Sequence, residues 1–275
     1  MAAETKTYLI TGSTDGVGRR VAERLARPGA VVLVHGRNRE RGESLVKAIE
    51  AAGGTSQFYT ADLASLDEVR RLADEVRRDH ARLDVLINNA GIGMAGAYPG
   101  RCESPDGFEL RFAVNYLAGF LLTHRLLPLL KKNRTARIVN VSSGGQQEIE
   151  FDDVMLTRGY DGRRAYRQSK LAQILFTVDL AEQLKGTGVT VNALHPATYM
   201  DTPMVRAEGI APLSTVEEGA DAILNLATSP ELEGRSGLYF NGLTPARANA
   251  QAYDARSRAQ LRALSLELVG LKAAG

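Results

Sequence analysis

The sequence predicts a doubly wound α/β fold, a seven-stranded parallel sheet with helices on both faces, and three observations carry that prediction. Short runs rich in β-branched residues alternate with longer segments of helical periodicity. Several of the short runs are apolar on both faces, as in a parallel sheet covered on each side. The segments between them are long enough for the crossovers that parallel neighbours require.

The strands are expected at 7–10, 31–34, 57–60, 85–88, 137–141, 189–194 and 237–240. Pro28-Gly29 closes the first helix, Gly53-Gly54 the second and the stretch from Gly186 to Gly188 the fifth, while His195-Pro196 stops the sixth strand. No linker, repeat or low-complexity tract divides the 275 residues. One domain over 1–275 is therefore expected, with its core at about 5–242 and a helical tail over 246–271. Segments 92–107, 144–162 and 197–214 lack regular periodicity. All three follow strands, on the side where an open α/β sheet binds ligands.

The chain is 44% hydrophobic and 24% charged, with a net charge of +2 and both signs interleaved, so no nucleic-acid footprint stands out. The locally basic stretch 76–82 reads as a solvated helix face. One cysteine, Cys102, excludes an internal disulfide framework and a cysteine-rich metal site, and no metal is expected. The first residues run into an apolar strand without the parts of a secretory signal. The most lipophilic stretch, 116–130, is interrupted by His124, Arg125 and Pro128 and is shorter than the roughly 20 residues of a spanning helix. A cytoplasmic protein without membrane or nucleic-acid partners is the expectation.

The first strand leads into Thr11-Gly12-Ser13-Thr14-Asp15-Gly16-Val17-Gly18, and a helical pattern follows at once. Glycines here allow a sharp turn and a close approach of backbone N–H groups to a pyrophosphate, and the helix N-terminus adds about half a positive charge. With strand before and helix after, the segment reads as a nucleotide loop. The second strand ends in His35-Gly36-Arg37-Asn38-Arg39 and lacks the acidic residue that would hold the ribose hydroxyls of NAD. Arg37, with Arg39 behind it, favours the 2′-phosphate of NADP. Asp15 opposes that preference. After the third strand, Asp62-Leu63 offers a carboxylate either to an adenine amino group or as the cap of a helix starting near Ser65. The fourth strand ends in Asn88-Asn89-Ala90-Gly91, small and amide residues suited to lie along a bound cofactor.

Tyr166 and Lys170 stand at i and i+4 at the start of a helical pattern and so share one face, one turn apart. A free phenol has a pKa of about 10, and a nearby ammonium favours its phenolate, which suits an acid/base. The fifth strand ends in Ser142-Ser143 just before that helix, and Ser143, or Ser142 beside it, is placed to donate to a substrate oxygen. Asn115 is an amide in an apolar setting, and it needs partners if buried.

Together these motifs, the Thr11-to-Gly18 glycine loop, Asn88-Asn89-Ala90-Gly91, Asn115, Ser143 and Tyr166 with Lys170, resemble the short-chain dehydrogenase/reductase family over about residues 5–242. The stretch from Arg137 to Ser143, the Ala165-Tyr166-Arg167-Gln168-Ser169-Lys170 run and Gly188 to Pro196 are most similar to its retinol dehydrogenase-like branch. The resemblance implies a Rossmann-type fold, NADP as cofactor with NAD second, and a tetrad of Asn115, Ser143, Tyr166 and Lys170 moving hydride between nicotinamide C4 and a carbonyl or alcohol carbon. Cofactor contacts are expected from Gly12, Ser13, Thr14, Asp15, Gly16, Val17, Gly18, Arg37, Asn38, Asp62, Leu63, Asn89, Ala90, Gly91, Tyr166 and Lys170. Pro196 and Thr198 would lie beside the nicotinamide, and Asn115 would hold a proton-relay water near Lys170. The resemblance also implies a homodimer or tetramer built on the helices carrying Asn115 and Tyr166.

Three features depart from the family's pattern. Ala197 replaces the usual glycine, Asp15 stands where NADP-preferring members often carry a neutral or basic residue, and the membrane-anchoring N-terminus of many retinol-type relatives is not expected, which weighs against a retinoid substrate. The gap from Ser143 to Tyr166 is also long. Tyr160 lies in that gap without a lysine partner and ranks below Tyr166. The insertion is expected to wall a lipophilic pocket, and 197–214 to form a mobile lid. The alternative to an enzyme is an NADP(H)-binding regulator of the same fold.

Overall fold

Successive side chains on the central strands point into opposite layers, and this alternation places the core. In the computed structural model, which describes residues 5–96, 98–133 and 135–272, Leu9, Leu86 and Ile138 face one layer while Ile10, Ile87 and Val139 face the other. The strands are β1 (Lys6–Ile10), β2 (Ala30–Gly36), β3 (Thr55–Thr60), β4 (Val85–Asn88), β5 (Ala136–Val141), β6 (Val189–His195), β7 (Tyr239–Asn241) and β8 (Thr244–Ala246). They form one sheet in the order β3-β2-β1-β4-β5-β6-β7-β8. Strands β1 to β7 pair in parallel, and β8 closes the edge antiparallel to β7.

The sheet thus has eight strands rather than the expected seven, the last reversed. Strand β8 is three exposed residues, Thr244-Pro245-Ala246, with none of the apolar signal that marks the others. Its proline is tolerated at a sheet edge.

Helices α1 (Gly16–Leu25), α2 (Arg39–Ala51) and α7 (Val216–Thr228) cover one face. Helices α3 (Leu66–Asp79), α4 (Ala118–Leu130) and α5 (Gly162–Gln183) cover the other. A short α6 (Pro203–Ala207) lies inside the segment expected to be irregular. The expected helical tail begins instead with β8 and a 3₁₀ turn at Ala250–Tyr253, and its helix is α8 (Ala255–Leu268).

Helix α8 packs on α5 through ion pairs from Arg258 to Glu182 (3.0 Å) and from Arg262 to Asp179 (2.8 Å). Ser265 meets the Tyr116 hydroxyl at 2.7 Å in the buried layer. The helices on which oligomerisation is expected are therefore covered, on this side, by the chain's own α8.

Residues Phe112–Leu117 form a π-helical turn that runs straight into α4. The combined helix, Phe112–Leu130, has 19 residues at a mean hydropathy of 1.2, long and apolar enough by composition to cross a membrane. The expected stretch was shorter because the π-helical turn adds its first apolar residues. Two thirds of this helix is buried between its neighbours, which accounts for its composition as that of a core helix.

His35 on β2 is enclosed by this packing and His124 on α4 is half-buried in it, and burial pushes both imidazoles down to about 4. The unfolded chain, with ordinary imidazoles near 6.5, binds protons before the folded one does. Stability is therefore expected to fall as pH drops from about 6.5 to about 4, by about 3 kcal/mol for each histidine. Thermal melts across that range will show the loss, and His124→Leu will make it shallower. A melting temperature that stays level from pH 7 to pH 4 contradicts the assignment.

Candidate active site

The turn between β1 and α1 is tied to the end of β4 by one hydroxyl. Thr11 Oγ1 accepts the backbone N–H groups of Asn89 (3.0 Å) and Ala90 (3.1 Å). Asn89 answers with its side-chain amide, which donates to the carbonyls of Thr11 (2.9 Å) and Gly12 (3.1 Å). Gly12 has φ 63°, in the left-handed region that favours glycine, and a Cβ there would lie 2.9 Å from Ala90 Cα. At Gly18 a Cβ would lie 2.3 Å from the Gly12 carbonyl oxygen. The glycines thus allow loop, helix and β4 to pack against one another, leaving helix N-terminal amides at the cleft where strand order reverses.

His35 was not anticipated here. Its Nδ1 accepts the Gly12 N–H at 3.1 Å, so the neutral ring carries its proton on Nε2. Ser13 is fully buried, and both its N–H and its hydroxyl bond to β2 and β1 carbonyls. Its hydroxyl also accepts the His35 N–H at 3.0 Å, so the side chain fastens the loop to β2. Thr14 packs against Gly36, while Gly16 and Val17 open the first turn of α1.

The corner beyond β2 is a set of matched charges. Asp15 caps α1 through the Gly16 N–H and is paired with Arg41, a residue sequence reasoning passed over. Arg37 lies 3.6 Å from Asp62, and Tyr98 and that carboxylate together favour its charged form. Asn38 spends its side-chain oxygen capping α2 at the Arg41 N–H (2.9 Å). Asp62 accepts the Ala64 N–H at 3.0 Å, whereas Ser65 is the residue that caps α3. The alternative reading of Asp62 as that cap is therefore corrected. Leu63 is part of the apolar layer beneath.

At the other end of the cleft, β5 delivers its two serines with opposite assignments. Ser142 donates to the Lys170 carbonyl at 2.7 Å and so fastens α5 to the sheet. Ser143 Oγ accepts the Gly145 N–H at 3.0 Å and lies close enough to Tyr166 to favour its phenolate. Lys170 Nζ donates to the Val141 carbonyl at 3.0 Å and lies 5.8 Å from the centre of the Tyr166 ring. Burial lowers Lys170 to about 8, which leaves it mostly charged at pH 7.

Tyr166 does not follow the expected downward shift. Burial raises its phenol, the Ser143 hydrogen bond partly offsets that, and Glu208 and Tyr199 add smaller rises. Asn115, in the π-helical turn, is buried, with its Oδ1 accepting the Ile92 N–H (2.7 Å) and its amide donating to the Ile92 carbonyl and to Ser169. It brings the β4 loop against the lysine: a Cβ on Gly91 would lie 3.1 Å from Asn115 Oδ1 and 3.4 Å from Lys170 Nζ.

The wall of the cleft is held by a buried cation that the sequence did not single out. Arg111, wholly inaccessible, donates to the carbonyls of Gly93, Met94 and Tyr98 and, at 2.6 Å, to the Tyr160 hydroxyl. Tyr160 in turn donates to Glu109 at 2.9 Å, and burial followed by that carboxylate raises its phenol. Tyr160 is thus occupied by a structural network. The inserted segment is pinned further by Gln251, which bonds to both the N–H and the carbonyl of Ile149. Beyond β6, Pro196 is buried, Thr198 meets His195 Nε2 at 3.1 Å, and Tyr199 takes φ 45°, a conformation unusual for a side-chain-bearing residue.

Residues 6–211 match the family model described as short chain dehydrogenase. The chain is 39% identical to retinol dehydrogenase 14 of Homo sapiens, over 97% of this chain and 87% of the relative. It is 38% identical to human retinol dehydrogenase 13, over 98% and 86%. Among solved structures, the RhlG/NADP active-site complex of Pseudomonas aeruginosa superposes with a TM-score of 0.70 at 27% identity, covering 87% of this chain and 95% of that one.

Gly18→Ala is expected to displace the Gly12 carbonyl or the Asn89 amide, both backbone-anchored, because the new methyl has no free space. Dinucleotide affinity measured by cofactor fluorescence should fall at least tenfold, with a lowered melting temperature. Unchanged affinity and melting would show that the loop adapts.

Proposed function

The chain belongs to the short-chain dehydrogenase family, and from that premise we propose that it is an NADP-dependent oxidoreductase with Tyr166 as acid/base, acting on a neutral lipophilic alcohol or carbonyl compound. The observation that carries this reading is the convergence of Ser143, Tyr166 and Lys170 on the cleft edge beside the glycine loop. The cradle fits a dinucleotide, since the contacts at Gly12 and Gly18 leave no room for side chains where backbone amides face outward. NADP, when bound, supplies or accepts the hydride.

This chain's residues do the rest. Ser143 donates its one proton to the substrate oxygen and so holds that oxygen within proton-transfer distance of the Tyr166 phenol beside it. Tyr166, protonated at neutral pH, gives its proton to the oxygen as a carbonyl is reduced and takes it back in alcohol oxidation. Lys170, fixed by Val141, keeps a positive charge beside the ring and is placed to hold ribose hydroxyls. Asn115 supports the lysine from behind through Ser169 and the Gly91 turn. Arg37 and Arg41 support the 2′-phosphate, which on arrival competes with Asp62 and Asp15 for them. The name and cofactor of the RhlG complex and the retinol dehydrogenase relatives support cofactor and substrate class together.

Tyr166→Phe should lower turnover by about 10³-fold with NADPH binding retained, in line with the usual worth of a positioned acid. Arg37→Ala should weaken NADPH by about tenfold or more and leave NADH nearly unaffected, as for a lost charge-assisted hydrogen bond. Equal losses for both cofactors would overturn the phosphate assignment. Carbonyl reduction should stay level up to about pH 8, where Lys170 begins to lose its charge, and Tyr166, raised by burial, should keep its proton over that whole range.

A further inference from the structure

The lid is closed by a single carboxylate. Glu208, just beyond α6, accepts the Ala95 N–H with both oxygens, at 2.8 and 2.9 Å. Two glycines make room for it: a Cβ on Gly93 would lie 2.4 Å from Glu208 Oε1, and one on Gly96 3.2 Å. At its base the same lid is seated by Met200, which fills the space a side chain at Gly219 of α7 would need and bridges to Ser214, and by Thr202 packed over Gly16. The free end of the lid thus meets the β4 loop at Glu208.

Its neighbour Arg206 is matched with Asp201, but no ion pair to Glu208 occurs among the described residues. A Cβ on Gly91, two residues before Gly93, would lie 3.4 Å from Lys170 Nζ. Two residues of chain span at most about 7 Å, so the Glu208 carboxylate lies no more than about 16 Å from the ammonium. Its charge is felt at the phenol, as one of the groups that raise Tyr166.

We propose that Glu208 is a specificity-determining residue that latches the lid to the β4 loop and, once latched, places an unmatched negative charge over the cleft that admits neutral substrates and repels carboxylate-bearing ones. The selection rests on the oxidoreductase reading above; the latch does not. A substrate carboxylate held about 10 Å from Glu208, in a cleft of effective dielectric about 20, is disfavoured about tenfold.

Two variants separate geometry from charge. Glu208→Gln keeps an oxygen to accept the Ala95 N–H and loses the charge, whereas Glu208→Ala loses both. Limited trypsin digestion of the cofactor-free protein, followed by mass spectrometry at Arg206, reads the latch without any turnover. Cleavage should be several-fold faster in the alanine variant and close to wild type in the glutamine variant. Reduction of a matched pair of aldehydes, one bearing a distal carboxylate, reads the selection. Wild type should prefer the neutral member by kcat/KM, and Glu208→Gln should narrow that preference about tenfold. Unchanged cleavage in the alanine variant overturns the latch, and an unchanged ratio in the glutamine variant overturns the selection. A protein that reduces no member of an aldehyde and ketone panel overturns the selection along with the activity beneath it, and the trypsin result then stands alone for the latch.

Discussion

Both faces of the sheet are covered by apolar layers, and this constraint governs everything polar in the molecule. Most of the space on either face is taken by apolar side chains, and the polar groups of the candidate site collect at the carboxyl edge of the strands. Strand order reverses between β1 and β4, and there the edge opens into a cleft. Thr11 closes the seam at that reversal by taking two amides of β4 on one oxygen. Because Asn89 returns two hydrogen bonds, the nucleotide loop and the strand end behave as one rigid piece. The lysine side of the cleft is braced in the same manner, by Ser142 on the α5 backbone and by Asn115 on both groups of Ile92.

Along the catalytic edge, burial and charge oppose each other, and burial wins at both titrating groups. Lys170 is lowered and Tyr166 raised, so both are pushed toward their neutral forms. The lysine still keeps most of its charge near neutrality, while the phenol holds its proton. A site in this state is prepared to donate a proton before it accepts one. At the far corner, by contrast, exposed arginines and carboxylates are evenly matched, Arg37 with Asp62 and Arg41 with Asp15. An anionic ligand there exchanges partners with residues already in place, which limits the net gain from each arginine.

Much of this was legible in the sequence, because periodicity and spacing report on local structure. The first six strands fall within two residues of their expected bounds, and the Tyr166 and Lys170 spacing alone puts both on one face of α5. Strand β8 was not legible, since a strand at an exposed edge buries nothing and leaves no apolar pattern. Nor were the residues that act through tertiary contact. Arg41 reaches Asp15 from 26 positions away, and Arg111 bonds to carbonyls of a loop whose path no local signal fixes. Ser13, too, has a side chain that turns inward to the sheet, which its place in the loop alone does not tell.

Helix α8 has a bearing on the order in which the molecule becomes complete. Its Ser265 meets Tyr116, the residue next to Asn115, and its arginines grip the outer side of the helix that carries Tyr166 and Lys170. Residues 255–268 follow every one of those groups along the chain. During synthesis the sheet and its polar edge therefore leave the ribosome ahead of the element that backs them. Until α8 docks, the aromatic cluster of Tyr116, Phe120 and Phe176 has lost its outer cover and faces water, a surface suited to a chaperone or to premature self-association.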